Sequence, residues 1–216
     1  MDVAIMLYEN FTALDAIGPY EVLSRLPGSR VTFVAQRPGP VAADTGMLTV
    51  QAEAALGDLP RPDIVLVPGG PGQAPPTDSE PVLDWLRAAD PAATWMTSVC
   101  TGSLVLAAAG LLAGRRATSH WLSLETLAEY QAEPVMQRVV TDGKYITCAG
   151  VSAGIDMALE LAGRIAGTAT AQSIQLMIEY DPQPPFDAGS PRTAPAEVVE
   201  RMRIRSRRAA AQSQAR

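Results

Sequence analysis

The chain has 216 residues, of which 47% are hydrophobic, and it carries a formal net charge of −6 at pH 7. This length and apolar content suit one α/β domain with a sizeable core. The negative charge argues against nucleic acid as a main partner, because phosphate binding needs concentrated positive charge. The two cysteines are too few for a disulfide framework and favour a reducing setting.

The sequence lacks an obvious targeting or membrane segment. The N-terminal stretch MDVAIMLYENF has neither the basic residues nor the long apolar core of a signal peptide. The longest apolar run, SLVLAAAGLLAG, is shorter than the roughly 18 residues that a spanning helix needs. We therefore expect a cytoplasmic protein with no membrane partner.

Short apolar runs alternate with helical segments in the first half of the chain. The runs, bounded by Pro, Gly or polar residues, are typical of strands buried on both faces and cover residues 3–8, 31–36, 63–70 and 93–99. Helices are predicted over 13–26 and over 79–90, the second with Ser79 as N-cap. Because Pro19 interrupts the first, we expect a short helical turn before it and the longer helix to begin near it. This order predicts a mostly parallel sheet sandwiched by helices.

The second half of the chain predicts a hairpin followed by helices. VTDGKYITCAG indicates a hairpin on Asp142-Gly143, and helices are predicted over 152–167 and 168–180. We expect a single α/β domain over residues 1–190 and a C-terminal helix with a basic tail over 191–216. The six Arg and two Glu of residues 197–216 indicate a solvated helix and a frayed end.

Four segments that directly follow predicted strands contain candidate functional residues. They contain Asp15, the PGGPG loop of residues 68–72, the Cys100-Thr101 pair, and CAGVSAG over 148–154. In an open parallel sheet, ligands bind where the strands end at their carboxyl edge. We therefore expect these segments to converge on one rim, although they are far apart in sequence.

Cys100 is the strongest candidate for a reactive group. It ends a buried strand and precedes an Ala/Leu-rich helix, so that unpaired backbone N–H groups lie near its sulfur. Such a position is expected to lower the thiol pKa from about 8.5 and to lift the side chain toward a substrate. The alternative is that Cys100 is a small buried hydrophobic residue, as we expect for Cys148.

Gly69 and Gly70 can bring bare backbone amides close to a ligand, because glycine has no Cβ to obstruct approach. With the amide of Thr101, they are candidates for stabilising negative charge that develops beside the sulfur. The loop is neither a P-loop nor a dinucleotide fingerprint, because the required Lys-Ser/Thr and G-x-G-x-x-G orders are missing. A tight loop with no further role is the alternative.

Five segments together resemble the DJ-1/PfpI superfamily across nearly the whole chain. They are MLYENFTALDAIGPYEVL, DIVLVPGGPG, TSVCTGSLVLAAAGLLAGRRATSHW, RVVTDGKYITCAGVSAGIDMALEL and ATAQSIQLMIEYDPQPPFDAGSPRTAP. Within the superfamily the chain is most similar to the isocyanide hydratases. The resemblance implies a flavodoxin-like sandwich, a homodimer, no metal and no organic cofactor. It also implies hydration of an isocyanide to an N-substituted formamide.

The resemblance implies roles for three residues. Cys100 matches the family's nucleophile, which lies at the elbow between a strand and a helix. Thr101 matches the next residue, which hydrogen-bonds at the active site. Asp15 matches the acid that faces the thiol. The alternative for Asp15 is a helix N-cap. Other branches resemble one another in carrying His directly after the cysteine, a place that Thr101 occupies here. The single histidine, His120, is expected to have a structural or dimer-linked role.

The implied chemistry needs a thiol and one acid. Cys100 would attack the isocyanide carbon and Asp15 would deliver a proton, giving a thioimidate, after which the Asp15 carboxylate would activate water. Burial beside a thiolate is expected to raise the pKa of Asp15.

One other function remains open at this point, and a second is disfavoured. A redox sensor would oxidise Cys100 reversibly and needs the same elbow. The ligand-sensing domain of a transcription regulator would need a further helix-turn-helix region, which a basic tail of about 20 residues is too short to supply.

Overall fold

The computed structural model describes residues 1–214 and divides into two compact units. The first unit is Met1–Glu179 and the second begins at Tyr180. The Pro-rich segment therefore groups with the C-terminal helix, whereas the sequence analysis placed residues 180–190 with the α/β domain. No helix in the described part of the chain combines the length and apolar character needed to cross a bilayer.

The first unit contains eleven strands, which are β1 Asp2–Met6, β2 Arg30–Ala35, β3 Gly39–Ala42, β4 Thr49–Ala52, β5 Ala54–Ala55, β6 Ile64–Val67, β7 Trp95–Val99, β8 Arg116–Ala117, β9 Glu133–Pro134, β10 Val139–Asp142 and β11 Tyr145–Cys148. Its helices are α1 Ala13–Leu23, α2 Ala74–Thr77, α3 Glu80–Ala89, α4 Gly102–Ala108, α5 Ala153–Ala166 and α6 Thr168–Met177, with 3₁₀-helices at Leu56–Asp58 and Leu124–Tyr130. The second unit contains α7, Ala196–Gln214, which follows Pro195 as predicted.

Seven strands form the central sheet in the order β10-β11-β7-β6-β1-β2-β5. All neighbours are parallel except β10 and β11, which form the predicted antiparallel hairpin with Gly143 at a φ of +61°. The four strands predicted from apolar runs are all in this sheet, and Ile64–Val67 is buried along its whole length. The mostly parallel sheet predicted from the sequence is thus confirmed.

Helices cover both faces of the sheet, which gives two apolar cores. The first core joins α1 and α5 to the sheet through residues such as Val22 and Met157. The second joins α3 and α4 to the opposite face through residues such as Leu86 and Leu106. Burial on both faces explains why the central strands are continuous apolar runs rather than alternating ones.

The predicted break at Pro19 is wrong, because α1 continues through it from Ala13 to Leu23. Proline lacks the N–H that would pair with the carbonyl four residues earlier, so this helix loses a hydrogen bond. Close packing on α5 opposes that loss: a Cβ added at Gly154 would lie 3.1 Å from the Pro19 ring, and one at Gly18 would lie 3.1 Å from Ile155. The two glycines thus let α1 and α5 approach closely.

The sequence analysis missed the β3–β4 hairpin, whose short strands form a separate sheet. Its turn lies against the segment that leads into α1. The Asp44 N–H donates to the Phe11 carbonyl at 2.9 Å, and the Thr12 hydroxyl donates to the Asp44 carboxyl at 2.7 Å. The hairpin therefore borders the start of α1, where Asp15 lies.

The start of α4 passes so close to the end of β6 that only glycine fits. A Cβ at Gly102 would lie 2.1 Å from the Val67 carbonyl oxygen. We expect Gly102→Ala to destabilise the protein by about 2–3 kcal/mol, because the backbone must move to relieve the clash. The free energy of unfolding in urea measures this loss.

The matched control is Gly57→Ala, because a Cβ at Gly57 meets no atom within 4 Å. This change is expected to leave the stability within about 0.5 kcal/mol of the original. Equal stabilities for the two variants would contradict the close approach at Gly102.

Candidate functional site

Cys100 lies at the turn between β7 and α4, on the carboxyl edge of the sheet. Its φ of +57° is uncommon for a residue with a side chain and is strained. The backbone around it is pinned by four hydrogen bonds. The Cys100 N–H donates to the carbonyls of Cys148 and Ala149, both at 3.1 Å, and the Cys100 carbonyl accepts from the hydroxyls of Ser103 and Ser119, both at 3.1 Å.

Asp15 is completely buried in the first turn of α1. Its Oδ2 accepts a hydrogen bond of 2.9 Å from the Gly69 N–H. Its Oδ1 is also buried, and no donor within residues 1–214 pairs with it. Thr12 is the N-cap of α1, so Asp15 does not have the capping role considered as its alternative.

The PGG loop holds the site residues through its backbone amides. The Gly69 N–H binds Asp15, and the Gly70 N–H donates to the Thr101 hydroxyl at 3.0 Å. This differs from the charge-stabilising role that the sequence predicts for Gly69 and Gly70, because both N–H groups already have protein acceptors. Glycine is required for the approach, since a Cβ at Gly69 would lie 2.8 Å from the Cys100 Cβ.

Burial raises the pKa of both groups in the pair. It raises the pKa of Asp15 to about 7, in the predicted direction, although the Gly69 N–H and the neighbouring Cys100 act to lower it. Burial and the charge of Asp15 raise the pKa of the Cys100 thiol to about 12. The expectation that the elbow lowers the thiol pKa is therefore not met in the free protein. The N–H groups of Thr101 and Val151 act in the expected direction, but the loss of hydration outweighs them.

The two pKa values determine how many protons the pair holds. Between about pH 7 and about pH 12, Asp15 and Cys100 share one proton, which the structure favours on the sulfur. Below about pH 7 the pair takes up a second proton. A thiolate can therefore form without net proton loss when the thiol passes its proton to Asp15.

Val151 is a site residue that the sequence analysis did not identify. Its φ is +38°, which is strained for a β-branched residue, and its N–H acts on the Cys100 sulfur. The surrounding segment was predicted to reach the site rim. No residue-level signal was available, because valine in the left-handed region contradicts its own backbone preference.

The remaining candidates lie outside the pair. Cys148 is fully buried and free, as predicted for a core residue, and burial raises its pKa well above the ordinary value. His120 is half-buried, burial lowers its pKa, and its Nδ1 accepts from the Leu122 N–H at 3.3 Å. Within residues 1–214 no three His, Cys, Asp or Glu side chains are grouped as metal ligands would be.

A cavity of about 650 Å³ lies at the ends of β1 and β2. Its floor includes the buried side chains of Val41 and Val82, and its rim includes Gln36 and Arg37. Tyr8 lines it, whereas Asp15 and Cys100 are not among its lining residues. Tyr8 therefore belongs to the wall of this cavity.

The fold and the site define an α/β protein with a buried thiol and carboxyl pair at the carboxyl edge of a parallel sheet. The chain belongs to the DJ-1/PfpI family, which it matches over residues 1–164. It is 46% identical over 206 residues to an isonitrile hydratase from Pseudomonas putida, an alignment that covers 95% of this chain and 90% of the relative.

Two further comparisons bear on the site. The crystal structure of a THiJ/PfpI family protein from Pseudomonas syringae superposes with a TM-score of 0.91 at 38% identity, covering 94% of this chain and 84% of that one. The HTH-type transcriptional regulator CdhR from Pseudomonas aeruginosa is 34% identical over 181 residues, which cover 80% of this chain but 53% of the regulator. The same fold thus occurs in proteins of different function.

The raised pKa of Asp15 predicts a stability that depends on pH. In the folded protein its pKa is about 7, against 3.8 for the free side chain, so the folded state binds the proton more tightly and loses stability as the pH rises through this window. Asp15→Asn removes that loss. We compare the free energy of unfolding of the variant with that of the original protein. The difference is expected to change in favour of the variant by about 2–3 kcal/mol from pH 5 to pH 8.

Urea unfolding of both proteins at the two pH values gives this difference. Asp78→Asn, at an exposed position, is the control and should show no such gain. A stability difference that is the same at pH 5 and pH 8 would contradict the raised pKa of Asp15.

Proposed function

We propose that this protein is an isocyanide hydratase, which adds water to an isocyanide and releases an N-substituted formamide. The observation that carries the proposal is the buried pair, in which the Asp15 Oδ1 has no donor among the described residues and the Cys100 thiol lies beside it. The reaction needs these two groups, a nucleophile and a proton carrier. The 46% identity to the isonitrile hydratase supports the same conclusion.

The first step forms a covalent intermediate. Asp15 accepts the thiol proton while the Cys100 sulfur bonds to the terminal carbon of the isocyanide, and Asp15 then returns this proton to the same carbon. The product is a thioimidate, in which the former isocyanide carbon carries sulfur, hydrogen and a double bond to nitrogen. The proton moves within the pair, so no external acid or base is required.

The second step consumes water. The Asp15 carboxylate takes a proton from a water molecule as the water oxygen adds to the thioimidate carbon. Asp15 then passes this proton to the nitrogen, which becomes an amine. The carbon–sulfur bond then breaks, the new carbonyl forms, and the remaining hydroxyl proton returns through Asp15 to the sulfur. The net change is one isocyanide and one water converted to one formamide, with the pair restored.

The backbone around the pair suits this cycle. The N–H groups of Thr101 and Val151 act on the sulfur and stabilise it when it is charged, at attack and at departure. The Gly69 N–H keeps one oxygen of Asp15 occupied, which leaves Oδ1 for the thiol, the substrate carbon and water. The reactive form holds one shared proton, so turnover rises with pH through about 7.

The test is steady-state turnover of a simple alkyl isocyanide. Cys100→Ser is expected to lower kcat/KM by about a thousandfold or more, because the alcohol is a far weaker nucleophile. Asp15→Asn is expected to lower it by a factor of about 10²–10⁴, because the proton carrier is lost. Mass spectrometry of the Asp15→Asn protein after exposure to the isocyanide then checks for adducts on Cys100.

Cys148→Ala is the matched control, since it removes the other cysteine and leaves the pair intact. It should retain near-original turnover. Undiminished turnover in Cys100→Ser would contradict the assignment of Cys100 as the nucleophile. Absence of turnover in the unmodified protein, together with reversible oxidation of Cys100 by peroxide, would favour the redox-sensor alternative instead.

The proposal includes a homodimer in the cytoplasm. The free state of both cysteines suits a reducing compartment. Large apolar side chains are exposed near the site, at Leu14 on α1 and at Met47 and Leu48 in the β3–β4 turn, with exposures of 41%, 92% and 45%. Because the turn lies against the start of α1, these side chains suit one contact surface for a second copy.

Placing a charge in this surface is expected to separate the two copies. The unmodified protein should have the mass of two chains in size-exclusion chromatography with light scattering, and Met47→Asp should shift the population toward one chain. Met136→Asp, at an exposed methionine outside the turn, should not. A single-chain mass for the unmodified protein would contradict the homodimer.

A further inference from the structure

We propose that Tyr8 is a positioning residue for Asp15 and acts through the single peptide group that joins Pro68 to Gly69. The proposal rests on the proposed function for the role of Asp15 in turnover. It goes beyond that function because Tyr8 lies outside the thiol and carboxyl pair. Two hydrogen bonds that share this peptide group connect the Tyr8 hydroxyl to the buried acid, and we call this connection the relay.

Two hydrogen bonds at opposite ends of one peptide group carry the proposal. The Tyr8 hydroxyl donates to the Pro68 carbonyl oxygen at 2.8 Å, and the Gly69 N–H donates to the Asp15 Oδ2 at 2.9 Å. The Pro68 carbonyl and the Gly69 N–H belong to the same planar unit, so they cannot turn independently. Fixing the carbonyl therefore aims the N–H at Asp15.

The next peptide group of the loop, between Gly69 and Gly70, has partners other than Tyr8 and Asp15. The Gly69 carbonyl accepts from the Thr12 N–H at 2.8 Å, and the Gly70 N–H donates to the Thr101 hydroxyl at 3.0 Å. The Gly69 N–H is the backbone donor to the Asp15 carboxyl, which also has the Cys100 side chain beside it. The orientation of the peptide group between Pro68 and Gly69 thus decides whether the acid keeps its backbone donor.

The relay also has an electrostatic effect. A donor on a carbonyl oxygen polarises the peptide group and strengthens the hydrogen bond that its N–H gives. A stronger N–H bond favours the Asp15 carboxylate over the acid. Tyr8 keeps its proton throughout, because burial and the charges of Asp15 and Cys100 raise its pKa well above the ordinary value. It therefore stays a donor over the whole range in which Asp15 titrates.

Other titratable groups act around Asp15 and must stay constant in a test. Cys100 comes from the elbow, Asp44 comes from the β3–β4 turn and raises the Asp15 pKa, and Cys148 comes from the neighbouring strand. Tyr8→Phe removes one hydroxyl and leaves the aromatic ring and all of these groups in place.

The experiment measures two pH profiles for Tyr8→Phe: kcat/KM for a simple alkyl isocyanide, and the rate of Cys100 alkylation by iodoacetamide. In both, the midpoint of the rise near pH 7 is expected to move upward by about half a pH unit, because Asp15 holds its proton more tightly without the relay. Tyr20→Phe is the matched control, since its ring lies against Phe33 at 5.2 Å, and its profiles should be unchanged.

The double variant Tyr8→Phe/Asp15→Asn separates this relay from a structural role. If Tyr8 acts through Asp15, loss of the hydroxyl causes no shift of the alkylation profile in the Asp15→Asn background. Unchanged midpoints in Tyr8→Phe, or an equal shift in both backgrounds, would overturn the proposal. The alkylation arm needs no isocyanide turnover, so failure of the proposed function does not decide the outcome for Tyr8.

Discussion

The whole site depends on burying a carboxyl group and a thiol together. Asp15 is fully buried and has the Gly69 N–H as its partner, while its other oxygen has no donor among the described residues. A buried, half-satisfied carboxylate opposes folding, since it has lost hydration that one hydrogen bond does not replace. The protein tolerates this cost, and in return Asp15 exchanges a proton near neutral pH beside a thiol that is otherwise protonated.

The backbone, more than the side chains, arranges this pair. Cys100 is held in a strained conformation by its own N–H and carbonyl groups, and Val151 presents an N–H to the sulfur from a second strained turn. The glycine loop presents one N–H to Asp15 and the next to Thr101. A parallel sheet suits this design because all its central strands end at one edge, where neighbouring turns meet on a rigid base.

The family's fold does not by itself decide the chemistry. Regulators and an isonitrile hydratase are both similar in sequence to this chain, so activity must come from the groups around the cysteine. Here the residue after Cys100 is Thr101, whose hydroxyl accepts from Gly70, and the acid is Asp15 on a different element. A proton carrier placed across from the thiol suits addition of sulfur and hydrogen to the same carbon.

The amino-acid sequence alone determined the sheet, its helical layers and the strand ends at which Asp15, Gly69, Cys100 and Thr101 lie, because apolar periodicity and turn residues are local signals. Only the tertiary structure decided the continuity of α1 through Pro19, the partners of the Gly69 and Gly70 amides, and the raised thiol pKa. Each of these depends on parts of the chain that are distant in sequence. Helix α5 packs against Pro19, Asp15 and Thr101 accept from the Gly69 and Gly70 amides, and surrounding residues bury the Cys100 sulfur. Hydration is lost only when the whole domain closes, so no local pattern of residues could have predicted that the thiol keeps its proton.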